Sequence, residues 1–244
     1  RYPALRADNH GVLALNFIRG TRKHVPVPPG MTGSGKRQID SMRLEENGTL
    51  TVETRNTYTG AYEAGLRAGW KRVPEGIQRD VMQQYLSGIA PAAQLQDFQL
   101  SDPEELDQPF YLEYSYRLPD YAVKAGNLKL LQLPDRERRF PEASLETRRY
   151  DLTYTTSEAH NRTTVVQLPE ELSVISLPEN TRVESPYLTY SETIIHKENA
   201  IHMTVEYERK RRRIPVSDYA AYRQDLQHIE EMTSKPVFLE KTMP

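Results

Sequence analysis

Hydrophobic and polar residues alternate in the last third of the chain, and the spacing then changes to that of a helix. From Ile201 to Tyr207 every second side chain is hydrophobic, with polar residues between them. This alternation predicts a strand with one buried face, paired with a second strand over residues 188–196 in a long β-hairpin. Ser217 is the predicted N-cap of the amphipathic helix that follows. The helix is predicted from the spacing of Tyr219, Tyr222, Leu226 and Ile229.

The same order of elements occurs earlier in the chain. Residues 38–58 predict a hairpin, because alternating segments flank Asn47-Gly48, a pair for which positive φ angles cost little. Two helices are predicted next. Pro74 is expected at the first position of the second helix, where a backbone N–H would have no partner within the helix, so the missing N–H of proline costs nothing. The predicted inner faces are Tyr62, Leu66, Trp70 and Val73 in the first helix, and Ile77, Val81, Tyr85 and Ile89 in the second.

Short apolar runs predict six further strands, over residues 95–100, 110–118, 128–133, 163–168, 172–177 and 237–239. We therefore predict an α+β fold that is mostly β, with antiparallel sheets and packed helices in two tandem domains. The domains are expected over residues 36–140 and 141–244, with the boundary at the charged segment 135–139. Residues 1–35 are expected to be an irregular connector from a preceding module, with one candidate strand within 11–18. Immunoglobulin-like β-sandwich units are the alternative.

Composition excludes several classes of function. The 244 residues carry a formal net charge of −2, so no global positive field would hold nucleic acid. The chain has no Cys, which removes thiol nucleophiles, disulfides and thiolate metal sites. Its apolar runs are too short for a transmembrane segment, and any targeting segment would lie outside the chain. The first residue is not Met, which suggests a fragment or a processed form.

No catalytic or metal-binding constellation is evident in the sequence. The six His are not spaced as helical ligand pairs, and no Gly-x-Ser-x-Gly elbow is present. Gly33-Ser34-Gly35-Lys36 lacks the spacing of a phosphate-binding loop and indicates a flexible linker. His196 and His202 flank a predicted turn and are expected to approach each other, but two imidazoles without a third ligand make a poor zinc site. We expect no catalytic residue, metal or cofactor.

One charged run is a candidate binding site. Its members, with a neighbouring aromatic residue, are Tyr207, Arg209, Lys210, Arg211, Arg212 and Arg213. Such a run binds phosphate, nucleic acid or an acidic partner, or it extends a strand and discourages pairing between sheet edges. The structural interpretation is favoured, because no aromatic side chains are interleaved with the run. A cluster of tyrosines from Tyr187 to Tyr222 would form either a peptide or glycan groove, or a core between sheet and helix.

The whole chain resembles the region that follows the catalytic core in bacterial transglutaminase-like proteins, those with an N-terminal domain of unknown function. The segments that carry the resemblance are 3–5, 11–15, 44–50, 60–67, 149–152, 166–169, 175–178 and 214–219. The resemblance implies that a Cys-His-Asp core lies upstream, in the same chain or in another, and that none of its catalytic residues falls here. It also implies a periplasmic or cell-envelope location.

From this resemblance we expect a non-catalytic accessory or scaffold module, which packs on the transglutaminase-like core or presents substrate to it. The alternative is a free-standing module that binds a peptide or glycan of the bacterial envelope.

Overall fold

The computed structural model describes residues 34–242 in full and the backbone of Leu13–Ile18 and Thr21–Pro26. The last two segments are strands β1 and β2, which pair antiparallel. The predicted strand within residues 11–18 is therefore confirmed. Residues 21–26, expected within the irregular connector, form β2. Ser34 and Gly35 at the end of that connector are also described, and Gly35 begins β3. The other residues of the connector fall outside the described residues.

The described part is mostly β, as predicted, with three α-helices and short 3₁₀ turns at Pro141–Ala143 and Val216–Asp218. The helices are α1 Gly60–Trp70, α2 Glu75–Ile89 and α3 Tyr219–Ser234. The remaining strands are β3 Gly35–Leu44, β4 Leu50–Thr59, β5 Gln94–Leu100, β6 Phe110–Leu118, β7 Val123–Ala125, β8 Leu128–Leu131, β9 Leu152–Thr153, β10 Glu158–Gln167, β11 Leu172–Ser176, β12 Thr181–Glu184, β13 Leu188–Lys197, β14 Ala200–Arg209, β15 Arg213–Ile214 and β16 Val237–Lys241.

Strands from both halves of the chain form one eight-stranded sheet, in the order β12-β13-β14-β10-β3-β4-β6-β5. The two halves meet where β3 and β10 pair in parallel, from Gly35 beside Ala159 to Arg43 beside Gln167. The backbones of β3 and β10 are very close where this pairing begins, since a Cβ on Gly35 would lie 2.1 Å from the carbonyl oxygen of Ala159. Because the sheet continues across residue 140, the tandem arrangement of two domains is not confirmed.

Both predicted hairpins are confirmed, and local turn chemistry explains them. Gly48 closes the β3–β4 turn with φ +93°, a conformation that glycine adopts without strain. Glu198 and Asn199 close the β13–β14 turn, both with positive φ, as a two-residue hairpin loop requires. Inward residues alternate with outward residues along each strand, so one face of the sheet is buried.

The buried face lies under the helices and under a second sheet of order β11-β16-β8-β7. Of the predicted inner face of α2, Val81 and Ile89 pack against the core, whereas Ile77 and Tyr85 are exposed. The fully buried residues of this helix are Met82 and Leu86, which were not predicted. Ser217 is not the N-cap of α3, because it lies in the preceding 3₁₀ turn. None of the described helices has the length and apolarity needed to span a membrane.

Side chains of α2 form hydrogen bonds with backbone groups at the edge strand β5. The Gln83 amide donates to the carbonyl oxygen of Ala93 at 2.7 Å and accepts from the Leu95 N–H at 2.9 Å. Arg79 donates to the carbonyl oxygens of Leu95 and Gln96. These contacts satisfy backbone groups that an edge strand otherwise presents for pairing with another chain.

Candidate functional site

Four arginines are buried in the described part of the chain, and each forms an ion pair with a carboxylate. The pairs are Arg67 with Glu63, Arg136 with Glu192, Arg162 with Asp40, and Arg209 with Glu158. The first lies within α1, whereas the other three join different elements of the fold. Buried charges of this kind mark either a functional site or a structural joint, and their geometry decides between these roles.

Asp40 of β3 is the centre of a hydrogen-bonded network inside the sheet. Its carboxylate is 2% exposed and accepts from Arg162 Nε on β10 at 2.6 Å. It also accepts from Gln38 Nε2, Thr54 Oγ1 and Thr164 Oγ1 at 2.8 to 3.1 Å. Both carboxylate oxygens therefore have several donors, which is the condition for keeping a charge inside a protein.

The guanidinium of Arg162 also holds the chain segment that crosses the buried face. Its Nη2 donates to the carbonyl oxygen of Pro134 at 2.7 Å, and its Nη1 donates to that of Asp135 at 2.8 Å. One arginine on β10 thus contacts β3 and the segment that follows β8. This segment is the charged stretch in which the sequence predicted a domain boundary.

Arg136 fixes the same segment from the other side. It forms two hydrogen bonds with the carboxylate of Glu192 on β13, at 2.7 and 3.1 Å. Its remaining donors bind the carbonyl oxygens of Met232, Thr233 and Lys235, at the carboxyl end of α3. Carbonyls at a helix end lack partners within the helix, so Arg136 completes α3 while joining it to the sheet.

Asp135 lies between these two arginines with φ +54°, an uncommon conformation for a residue with a side chain. Its carboxylate is 3.9 Å from Lys36 Nζ on β3. Burial lowers the pKa of Lys36, and the charge of Asp135 partly opposes this effect. The unusual backbone persists because both of its neighbours are held, and such overdetermined residues occur at functional sites as well as at structural joints.

A second polar cluster surrounds Glu158 at the start of β10. Its carboxylate accepts from Arg209 Nη2 on β14 at 2.6 Å, from the hydroxyl of Tyr62 on α1, and from His160 Nε2 at 3.5 Å. Burial by itself would raise the pKa of Glu158, but His160, Arg209 and Tyr62 together lower it from 4.5 to about 2. A carboxylate with so low a pKa stays ionised at neutral pH, so it is a poor general acid or base.

Aromatic rings surround this cluster. The guanidinium of Arg209 lies 3.5 Å from the ring centre of Tyr154, and the Tyr154 hydroxyl is 2.9 Å from that of Tyr222 on α3. His160 stacks on Tyr207 with ring centres 5.9 Å apart. Within this cluster, the Tyr207 hydroxyl and Arg209 Nε are buried without a hydrogen-bond partner. The cluster joins α1, α3 and two strands.

The structure separates the predicted basic run into a buried part and an exposed part. Arg209 and Tyr207 are buried in the cluster just described, at 7% and 6% exposure. Lys210 donates to the carbonyl oxygen of Ser185, and Arg212 donates to that of Tyr154. Arg211 and Arg213 are exposed.

The five tyrosines considered for a binding groove are all buried, namely Tyr187, Tyr190, Tyr207, Tyr219 and Tyr222.

The two histidines of the β13–β14 hairpin lie at different positions in the pairing. His196 lies opposite Ile201, and Ile195 lies opposite His202. The two histidines therefore lie on opposite faces of the sheet and do not approach each other as expected. No group of three potential metal ligands is found in the described ranges.

The outer face of the eight-stranded sheet is exposed across both halves. Exposed residues include Ile39 and Ser41 on β3, Glu53 and Arg55 on β4, and Thr163 on β10. A groove of about 430 Å³ lies over β3, β4, β6 and β5. Hydroxyl groups and charges of both signs line this groove, and Ile39 lies in it with 43% exposure.

Comparison with protein families gives one match. A family described as a domain of unknown function with solved structure, DUF3858, matches residues 127–239. This match covers just under half of the chain. It begins before the predicted boundary at residue 140, just ahead of β8, which pairs with β16 near the end of the matched range.

Comparison with solved structures gives distant similarities. A crystal structure described as a putative protease from Parabacteroides distasonis has a TM-score of 0.42 and 14% identity, over 50% of this chain and 24% of that one. Baculovirus P35 has a TM-score of 0.21 and 8% identity, over 87% of this chain and 97% of that one. The chain thus spans about a quarter of the length of the first structure. No curated protein matches the chain.

Proposed function

We propose that this chain is a non-catalytic accessory module of a transglutaminase-like protein, which packs on an upstream Cys-His-Asp core or presents substrate to it. One observation carries the proposal: three of the four buried ion pairs of the described residues join different structural elements. Asp40, Glu158 and Glu192 each bind an arginine from another element. A catalytic group needs a free atom directed at substrate, and these carboxylates have theirs occupied.

The outer face of the sheet is the proposed contact with the core. It spans strands from both halves and combines an exposed isoleucine with hydroxyls and charges of both signs. Polar surfaces with a few apolar positions are typical of contacts between domains that also exist apart. The resemblance to transglutaminase-like proteins supports the choice of partner, and it supports a location in the bacterial envelope.

The test uses a separately expressed core from a transglutaminase-like protein. Calorimetry measures association, and an acyl-transfer assay of the core measures any effect on activity. We expect binding that Ile39→Glu weakens and that Ile77→Glu leaves unchanged. The two isoleucines are 43% and 48% exposed, on the sheet face and on α2 respectively, so the substitutions are matched.

Two outcomes would contradict the proposal. The first is neither association nor any change in the activity of the core. The second is turnover of a small molecule by this chain alone, abolished by changing one interior side chain.

The alternative of a glycan or peptide groove built from tyrosines is weakened, because the five tyrosines that would line it are buried. The exposed part of the basic run is a different surface.

A further inference from the structure

Two segments distant in sequence form one exposed surface beside the small sheet of β9 and β15. Leu152 pairs with Ile214 and Thr153 pairs with Arg213, so the segment that ends at Asp151 adjoins residues 213–216. The Tyr154 N–H extends this pairing by donating to the carbonyl oxygen of Arg212 at 2.7 Å. The end of the basic run is thereby placed beside a segment with its own arginines.

Asp151 fixes the relative position of the two segments. Its carboxylate accepts from Arg213 Nε at 2.6 Å and from the Val216 N–H at 2.9 Å. The hydrogen bonds from Arg213 and Val216 lower the pKa of Asp151. Arg211 lies 5.8 Å from the ring centre of Tyr187, which itself donates a hydrogen bond to Asp218. The exposed cations are therefore held on a defined frame before any partner binds.

Apolar side chains are exposed on the same two segments. Tyr150 is 77% exposed, Leu145 is 56% exposed and Val216 is 40% exposed. Tyr150 adjoins Arg149, which is also exposed. Tyrosine and arginine are among the residues enriched at protein–protein contacts, where an aromatic anchor supplies area and a cation supplies direction.

The charge of this surface differs in sign from that of the chain. Residues 145–151 and 210–218 contain six arginines and lysines but three acidic residues, whereas the whole chain carries −2. Of those acidic residues, Asp151 is bound to Arg213 and Asp218 accepts from Tyr187. The surface is therefore locally cationic on an acidic molecule, which directs an anionic partner to this place.

We propose that the Arg149–Tyr150–Arg211–Arg213 surface binds an acidic, extended segment of a partner protein that also carries apolar side chains. A peptide fits better than other polyanions for two reasons. Within the described residues β9 and β15 pair only with each other, and an extended peptide binds by adding a strand to a sheet edge of this kind. Tyr150, Leu145 and Val216 offer apolar contacts that a sulfated glycan does not use. This inference does not depend on the proposed accessory role.

The test is fluorescence anisotropy with a labelled peptide of alternating glutamate and leucine, about eight residues long. We expect binding that weakens as salt is raised, because exposed charges are screened. The double substitution Arg149→Glu with Arg211→Glu should weaken binding by roughly tenfold or more. This double substitution leaves the hydrogen bonds of Asp151 with Arg213 and Val216 in place. Tyr150→Ala should weaken binding by roughly threefold to tenfold, with a smaller change in salt dependence.

The matched control is Arg37→Glu with Arg43→Glu, which changes net charge equally on the exposed face of β3. It should change affinity by less than roughly twofold. Thermal melts establish that each variant is folded. The proposal is overturned if the peptide does not bind, or if the control weakens binding as much as the test pair. It is also overturned if heparin or anionic vesicles bind this surface and the peptide does not compete with them.

Discussion

Replacing Arg162 by Met tests whether the two halves of the sheet form one cooperative unit. The change leaves Asp40 buried without its 2.6 Å partner, and it leaves the carbonyl oxygens of Pro134 and Asp135 without a donor. Removing one member of a buried ion pair costs about 3–5 kcal/mol. Each orphaned carbonyl adds about 1–3 kcal/mol, although Asp40 retains its hydroxyl and amide donors and relaxation recovers part of this.

We therefore expect Arg162→Met to lower the free energy of unfolding by about 4 kcal/mol, a large share of the about 5–15 kcal/mol typical of a domain. Urea unfolding should be followed by far-UV circular dichroism and by the fluorescence of Trp70, the single tryptophan. Trp70 lies on α1 and contacts Phe98, so it reports on the half that does not contain Arg162. The two signals should shift together.

The control is Arg55→Met, which removes an ion pair with Glu113 in which the Arg55 side chain is 56% exposed. Exposed pairs contribute about 0–1 kcal/mol, so little change is expected. Replacing Arg162 by Met and Asp40 by Leu together should recover part of the loss, since no charge is then left unpaired. The reasoning is refuted if Arg162→Met costs less than about 1 kcal/mol, or if the Trp70 signal does not move with the dichroism.

Three further predictions concern local features. The pKa of Glu158 is lowered in the folded state, so its contribution to stability is complete above pH 4.5 and is lost as pH falls toward about 2. Denaturation at several pH values should show a flatter slope in this window for Glu158→Gln, and an unchanged slope would contradict the assigned ion pair. Gly35→Ala should destabilise the protein by about 1–3 kcal/mol or more in urea unfolding, because its Cβ would overlap the backbone of β10. Gly65→Ala in open space on α1 should instead stabilise by about 1 kcal/mol, and equal effects of the two would argue against the close approach. Gln83→Ala should speed hydrogen exchange of the Leu95 amide and cost about 1–2 kcal/mol, whereas unchanged exchange would show that the edge of β5 is protected otherwise.

Local patterns predicted local structure well. The Asn47-Gly48 turn and the alternation on either side of it specify the β3–β4 hairpin, because the strands are adjacent and the turn sets their register. The parallel pairing of β3 with β10 is not encoded locally. More than a hundred residues separate the two strands, and alternation says which face is buried but not which strand lies alongside.

The candidate site was predicted less well, for a physical reason. The charged segment 135–139 predicts a boundary between domains. Arg136 is instead 2% exposed, because a carboxylate and the end of a helix satisfy its donors. The burial of Arg162 could have been inferred from the alternation along β10. Arg162 is on the same face of the strand as Thr164 and Val166, and a cation on the buried face requires a buried partner.

The parallel seam has a consequence for synthesis on the ribosome. The outer edge of β3 stays without its neighbour until β10 has been made, more than a hundred residues later. At roughly 5–20 residues per second, nascent chains would carry that open edge for roughly 5–25 s. During this interval a growing chain is vulnerable to pairing with its neighbours on the same messenger. Slower translation or crowded polysomes should therefore reduce the yield of folded protein more than its final stability would suggest.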